Sequence, residues 1–119
     1  MNSMNTDLLP ARPIADEVFV APQLEPAAMA EAARAGFRSV INNRPDFEEG
    51  PEQPTSASIE AAALAAGLEY RFLPVNGAWQ SPDEIAAFGR LMDELPRPVL
   101  AFCRSGARST RLYMASQPG

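Results

Sequence analysis

The apolar positions fall into short continuous runs separated by stretches of helical spacing. Residues 17–21 form one such run, closed by Pro22, and predict a strand. Pro26 suits the first turn of a helix, residues 27–35 are rich in helix formers, and Gly36 stops them. Residues 37–41 read as a buried strand that runs into the polar turn Asn42-Asn43-Arg44-Pro45-Asp46. Residues 46–54 carry two prolines and predict a loop, after which Ser56 or Ser58 is placed to cap a helix ending at Gly67. Residues 70–75 predict a strand, followed by the turn signal Asn76-Gly77. Ser81-Pro82-Asp83-Glu84 has the form of a capping box, and Ile85, Phe88, Met92 and Leu95 keep helical spacing up to Pro96. Residues 98–102 are a continuous apolar strand leading straight into Cys103, and residues 109–115 predict a closing helix.

Strands alternating with helices predict an α/β fold with a mostly parallel central sheet flanked by helices. In such sheets ligands bind beyond the carboxyl ends of the strands, where Asn43-Arg44, Asn76-Gly77 and Cys103 all fall. Residues 1–13, polar and with two prolines, predict a flexible leader, and residues 14–119 a single domain. The 119 residues are 46% hydrophobic and 21% charged, a globular composition able to bury a core without metal or disulfide support. A net charge of −5 gives no basis for binding nucleic acid or an acidic membrane. No run approaches the roughly 18–20 apolar residues of a membrane span, and the first residues lack the pattern of a signal peptide. A single cysteine excludes an intramolecular disulfide and fits a cytoplasmic location. The absence of histidine excludes Ser-His-Asp and Cys-His catalysis within the chain and removes the commonest zinc ligand, so no metal or other cofactor is expected.

Chemistry at Cys103 must therefore draw on arginine, backbone N–H groups or a helix terminus. A strand, a short loop with glycine and a helix start make an anion cradle, and the same field stabilises a thiolate. Cys103 is the expected nucleophile and Arg108 its catalytic partner, with Arg104, Ser105, Gly106, Ala107 and Ser109 completing the anion-binding loop. Arginine supplies permanent charge and paired donors for an oxyanion, and Ser109 is placed to hydrogen-bond the sulfur. Asn43, Arg44, Asn76 and Asp83 are candidate pocket residues. Trp79 is a candidate for the pocket mouth, whereas Phe72 is expected in the core.

Residues 102–110 resemble the active loop of rhodanese-type sulfurtransferases, Cys-x-x-Gly-x-Arg-Ser/Thr, and are similar to the Cys-x5-Arg loop of protein tyrosine and dual-specificity phosphatases. From about Ile14 to Gln117 the chain resembles the phosphatase-like domain family of beta-lactamase-hydrolase-like protein. The shared landmarks are Ala21-Pro22-Gln23, Gly36-Phe37, Ile41 to Asp46, Tyr70, Pro74-Val75 and Cys103 to Ser109. The resemblance implies a dual-specificity-phosphatase-like fold and either phosphatase or sulfur-transfer chemistry. Three features favour sulfur: only four residues separate Cys103 from Arg108, Asn76 stands where such phosphatases carry an acidic Asp, and Phe102 replaces the usual His. Without that acid, a poor leaving group would lose roughly 10²–10⁴-fold in rate; Asp83 and Asp46 are the candidate substitutes. The expectation is a sulfurtransferase forming a Cys103 persulfide from a small sulfur donor. The alternatives are a phosphatase acting on a phosphorylated substrate and a non-catalytic anion- or phosphoprotein-binding module. Some relatives resemble parts of longer chains with a metallo-hydrolase domain, which implies a persulfide-handling partner.

Overall fold

The computed structural model describes residues 9–118. Its strands are β1 (Arg12–Ala15), β2 (Val18–Ala21), β3 (Ser39–Asn42), β4 (Glu69–Phe72) and β5 (Val99–Phe102). Its helices are α1 (Ala28–Ala35), α2 (Ser56–Ala65), α3 (Pro82–Glu94) and α4 (Ala107–Ser116). The sheet order is β1-β2-β5-β3-β4, with β1 antiparallel and the rest parallel. The strand that delivers Cys103 is thus central.

Alternate residues of these strands face opposite layers. Val40, Leu100 and Phe102 pack under α1 and α2 against Met29, Ala32, Ile59 and Ala63. Ile41, Val99 and Ala101 pack under α3 and α4 against Phe88, Met92 and Leu112. Burial on both faces is why β3 and β5 read as unbroken apolar runs. The capping box of α3 is present, with Ser81 Oγ accepting from Glu84 N and Glu84 Oε1 from Ser81 N. No helix among the described residues is long and apolar enough to cross a membrane.

Five expectations shift. Most of the expected leader, residues 1–8, lies outside the described residues, while Leu9 is buried and Arg12 and Pro13 belong to β1, a strand the apolar pattern does not reveal. Thr55, not Ser56 or Ser58, caps α2, its hydroxyl accepting from Ser58 N. Pairing of β4 ends at Phe72, although Leu73 N and Val75 N still donate to Asn42 and Asn43 carbonyls. Phe72 itself is exposed rather than in the core. Finally, α4 begins at Ala107, so the anion-binding loop is shorter than the strand and helix patterns suggest.

Candidate active site

The loop opens as β5 ends. Cys103 N donates to Ala21 O at 3.3 Å, fixing the thiol at the carboxyl edge between β2 and β3. The backbone then turns through Gly106 with φ +95, a conformation that favours glycine. This turn aims Gly106 N at Cys103 Sγ, 3.0 Å away. Arg12, from the unexpected β1, lies behind it: a Cβ at position 106 would stand 3.2 Å from its guanidinium.

Cys103 is only 1% exposed and forms the floor of a cleft of about 370 Å³ with Gly77, Ala78, Arg104, Ser105, Ala107, Arg108 and Arg111. A larger cavity of about 700 Å³ between α3 and α4 does not include Cys103 or its loop, so the smaller cleft is the candidate site. Burial pushes the thiol up, but N–H groups of Ser109, Gly106 and Ser105 outweigh it and hold the thiol below its ordinary value. The Ser109 hydroxyl is also within reach of the sulfur, yet its one proton goes to Asn43 Oδ1 at 2.8 Å. Asn43 Nδ2 in turn donates to Leu73 O at 3.0 Å, which fixes the amide in that sense. The lowering therefore rests chiefly on the backbone amides: Ser109 reaches the sulfur through its N–H, while its hydroxyl braces the loop.

Arg108 is 6% exposed. Its Nη1 donates to Val75 O at 3.0 Å and its Nη2 to Glu48 Oε1 at 3.2 Å, while Nε is buried without a partner. Arg108 lines the same cleft as Cys103, and an unpartnered guanidinium N–H there is a candidate oxyanion donor. Gly77 lies so close that a Cβ there would be 2.9 Å from Arg108 Nη2. Arg111 keeps that backbone in place by donating to Gly77 O.

Other expected site residues are placed differently. Arg104 is at the rim, its side chain 68% exposed and its Nε 3.1 Å from Glu49. Ser105 contributes its amide, and its hydroxyl accepts from Ala107 N at 3.3 Å, which turns that amide away from the sulfur. Asn43 and Arg44 are buried behind the loop and do not line the cleft. Asn76 folds its Oδ1 back onto Ala78 N, and exposed Asp83 lies in the first turn of α3; neither lines the cleft. Asp46 Oδ1 accepts from Ser56 N, which commits it to α2. Trp79 is exposed next to the cleft residue Ala78 without lining the cleft itself.

The residue missed by sequence reasoning is Glu48. Burial pushes its carboxyl up, but hydrogen bonds from Arg44 and Arg108 win and hold it below the usual carboxylate range. It is an ionised partner, not a proton donor. Its only signal was the Arg44–Glu48 spacing inside an acidic loop.

The lowered thiol gives a test. A depressed group contributes stability that is present above the unfolded value and lost as pH falls through the folded one. Iodoacetamide alkylation of Cys103 should therefore rise with pH at a midpoint below that of the same chain unfolded in denaturant. A midpoint at or above the unfolded one would show that the amides do not overcome burial.

Comparison with known proteins agrees with this architecture. A family model described as beta-lactamase hydrolase-like protein, phosphatase-like domain, matches residues 10–119. A beta-lactamase hydrolase-like protein of Agrobacterium fabrum is 44% identical over 82 residues, 69% of this chain and 19% of the relative. The chain thus spans about a fifth of the length of the curated relatives it matches. A crystal structure from Neisseria meningitidis Z2491, described as a putative phosphatase, superposes with a TM-score of 0.74 at 32% identity, covering 81% of this chain and 68% of that one. A second, from Shewanella putrefaciens CN-32 and described in the same words, gives 0.79 at 18% identity, covering 94% and 73%; at that identity the likeness is one of fold. Neither structure is described as a sulfur transferase.

Proposed function

The chain belongs to the phosphatase-like domain family of beta-lactamase hydrolase-like proteins, and on that footing we propose that it is a cysteine-dependent phosphatase for small phosphoesters. The observation that carries the reading is the pairing, in one cleft, of an amide-stabilised Cys103 sulfur with the buried Arg108, whose Nε has no partner. The thiolate attacks phosphorus, an S–P bond forms and the ester P–O bond breaks. The loop amides and Arg108 Nε stabilise the charge on the phosphoryl oxygens. Water then cleaves the S–P bond, releasing phosphate and restoring the thiolate.

Position 76 holds an amide, Glu48 is ionised, Asp46 is committed to Ser56 N, and Asp83 lies outside the cleft. The first step therefore proceeds without a proton donor, which restricts substrates to those whose leaving group departs as a stable anion, such as aryl phosphates.

One observation favours a second reading, sulfur transfer: the four-residue spacing between Cys103 and Arg108 matches rhodanese-type loops. In that reaction the thiolate attacks the sulfane sulfur of thiosulfate, an S–S bond forms, and sulfite leaves without needing a proton. The persulfide would then pass to a thiol or a persulfide-handling partner. The descriptions of the relatives favour phosphorus, which places sulfur second.

The test is to assay the protein with p-nitrophenyl phosphate and, separately, with thiosulfate plus cyanide. Phosphate release without thiocyanate is expected. Thiocyanate without phosphate release would replace the phosphatase reading with the second one, and neither product would leave an anion-binding module.

A further inference from the structure

Arg44 is 5% exposed, lies outside the cleft, and has no part in the chemistry described so far. It sits where three segments meet. Its backbone N donates to Asn42 Oδ1 at 2.9 Å, and its Nη1 to Gln23 Oε1 at 3.1 Å, beyond the end of β2. Its Nε donates to Glu48 Oε1 at 2.8 Å. The remaining nitrogen, Nη2, stands 3.5 Å from Glu49 Oε1 without making a hydrogen bond.

The same Glu48 oxygen accepts from Arg108 Nη2 at 3.2 Å. One carboxylate oxygen therefore joins two buried guanidinium groups, one in the cleft and one behind it. With one N–H of Nη1 on Val75 O and one of Nη2 on Glu48, Nε is the nitrogen of Arg108 left without a partner. A guanidinium is planar and rigid, so fixing two of its nitrogens fixes the third.

We propose that Arg44 is a positioning residue, acting through Glu48 to hold the Arg108 fork with its Nε free for the bound oxyanion. Glu48 sits in a loop with no helix or strand to hold it, between Phe47 at φ +62 and Gly50 at φ +110. The Arg44 Nε contact, shorter than the Arg108 one, ties that carboxylate to the end of β3. Without Arg44, Glu48 would swing with its loop, and Arg108 would lose a fixed partner while keeping its charge. The inference rests on Arg108 as the oxyanion donor, and not on whether phosphorus or sulfur is the electrophile.

A double-mutant cycle read by calorimetric sulfate binding tests it, with Tm measured in the absence of sulfate. Glu48→Gln and Arg44→Met should each weaken sulfate binding about tenfold, equivalent to ~1.4 kcal/mol. The double variant should be no weaker than the worse single one, because both changes break one linkage. A lower Tm with unchanged sulfate affinity, or losses that multiply in the double variant, would overturn the proposal, as would a wild type that does not bind sulfate. If Arg44→Met does not fold, Glu48→Gln decides the matter: an unchanged Kd overturns it. Sulfate binding that depends on Glu48 in a protein without turnover would sink the proposed activity alone.

Discussion

Replacing Cys103 with serine should lower kcat by roughly 10⁴-fold or more while leaving sulfate binding and folding largely intact. The nucleophile here is activated by stabilising its anion: N–H groups of Ser109, Gly106 and Ser105 converge on the sulfur, and no histidine exists to remove a proton. A serine hydroxyl ionises far above the working range, and the same amides cannot bring it down to neutrality. They remain in place, however, because Gly106 sets the turn and the Ser109–Asn43–Leu73 hydrogen bonds brace it. Steady-state kinetics beside sulfate calorimetry separate the two effects. Lost turnover with retained sulfate affinity is the expected pair. Substantial turnover in Cys103→Ser would assign the nucleophile elsewhere.

Arg108→Ala should cost about 10³-fold in kcat/KM, the usual scale for removing an oxyanion donor. It should also destabilise the fold by ~1–3 kcal/mol, because Val75 O loses its donor and Glu48 one of its two arginines. Arg108→Lys should recover little activity. A single ammonium cannot hold Val75 O and Glu48 and still present a third, rigidly placed donor. Kinetics combined with denaturant unfolding checks both parts. Near-native activity in the lysine variant would mean that charge alone, without fork geometry, serves the site.

The parts of this site visible in the sequence are the local ones. Cys103 to Ser109 is contiguous, and a strand, a glycine turn and a helix start dictate an anion cradle from seven residues. Strands β3 and β5 were legible because burial on both faces leaves an unbroken apolar run. Strand β1 was not, since it is a four-residue edge strand with Pro13 and two exposed residues. Glu48 was hidden for another reason: it meets Arg108 across a separation of sixty residues, and an acidic loop looks solvated until the fold brings an arginine to it. Asn43 and Arg44 follow β3 as the pattern predicts, but they sit behind the loop instead of lining the cleft, which spacing cannot reveal. Position 76 shows the reverse error. Its place in the turn suggested a pocket residue, whereas the asparagine side chain closes its own turn on Ala78 N.

The most direct test is to trap the covalent intermediate. Wild-type protein turning over p-nitrophenyl phosphate should be acid-quenched within a turnover and its peptides weighed. A gain of one phosphoryl group on the peptide containing Cys103, absent from Cys103→Ser, is expected; under the sulfur reading the same peptide gains one sulfur from thiosulfate. Turnover that proceeds with Cys103 unmodified at every quench time, and continues in Cys103→Ser, would contradict a Cys103 nucleophile altogether.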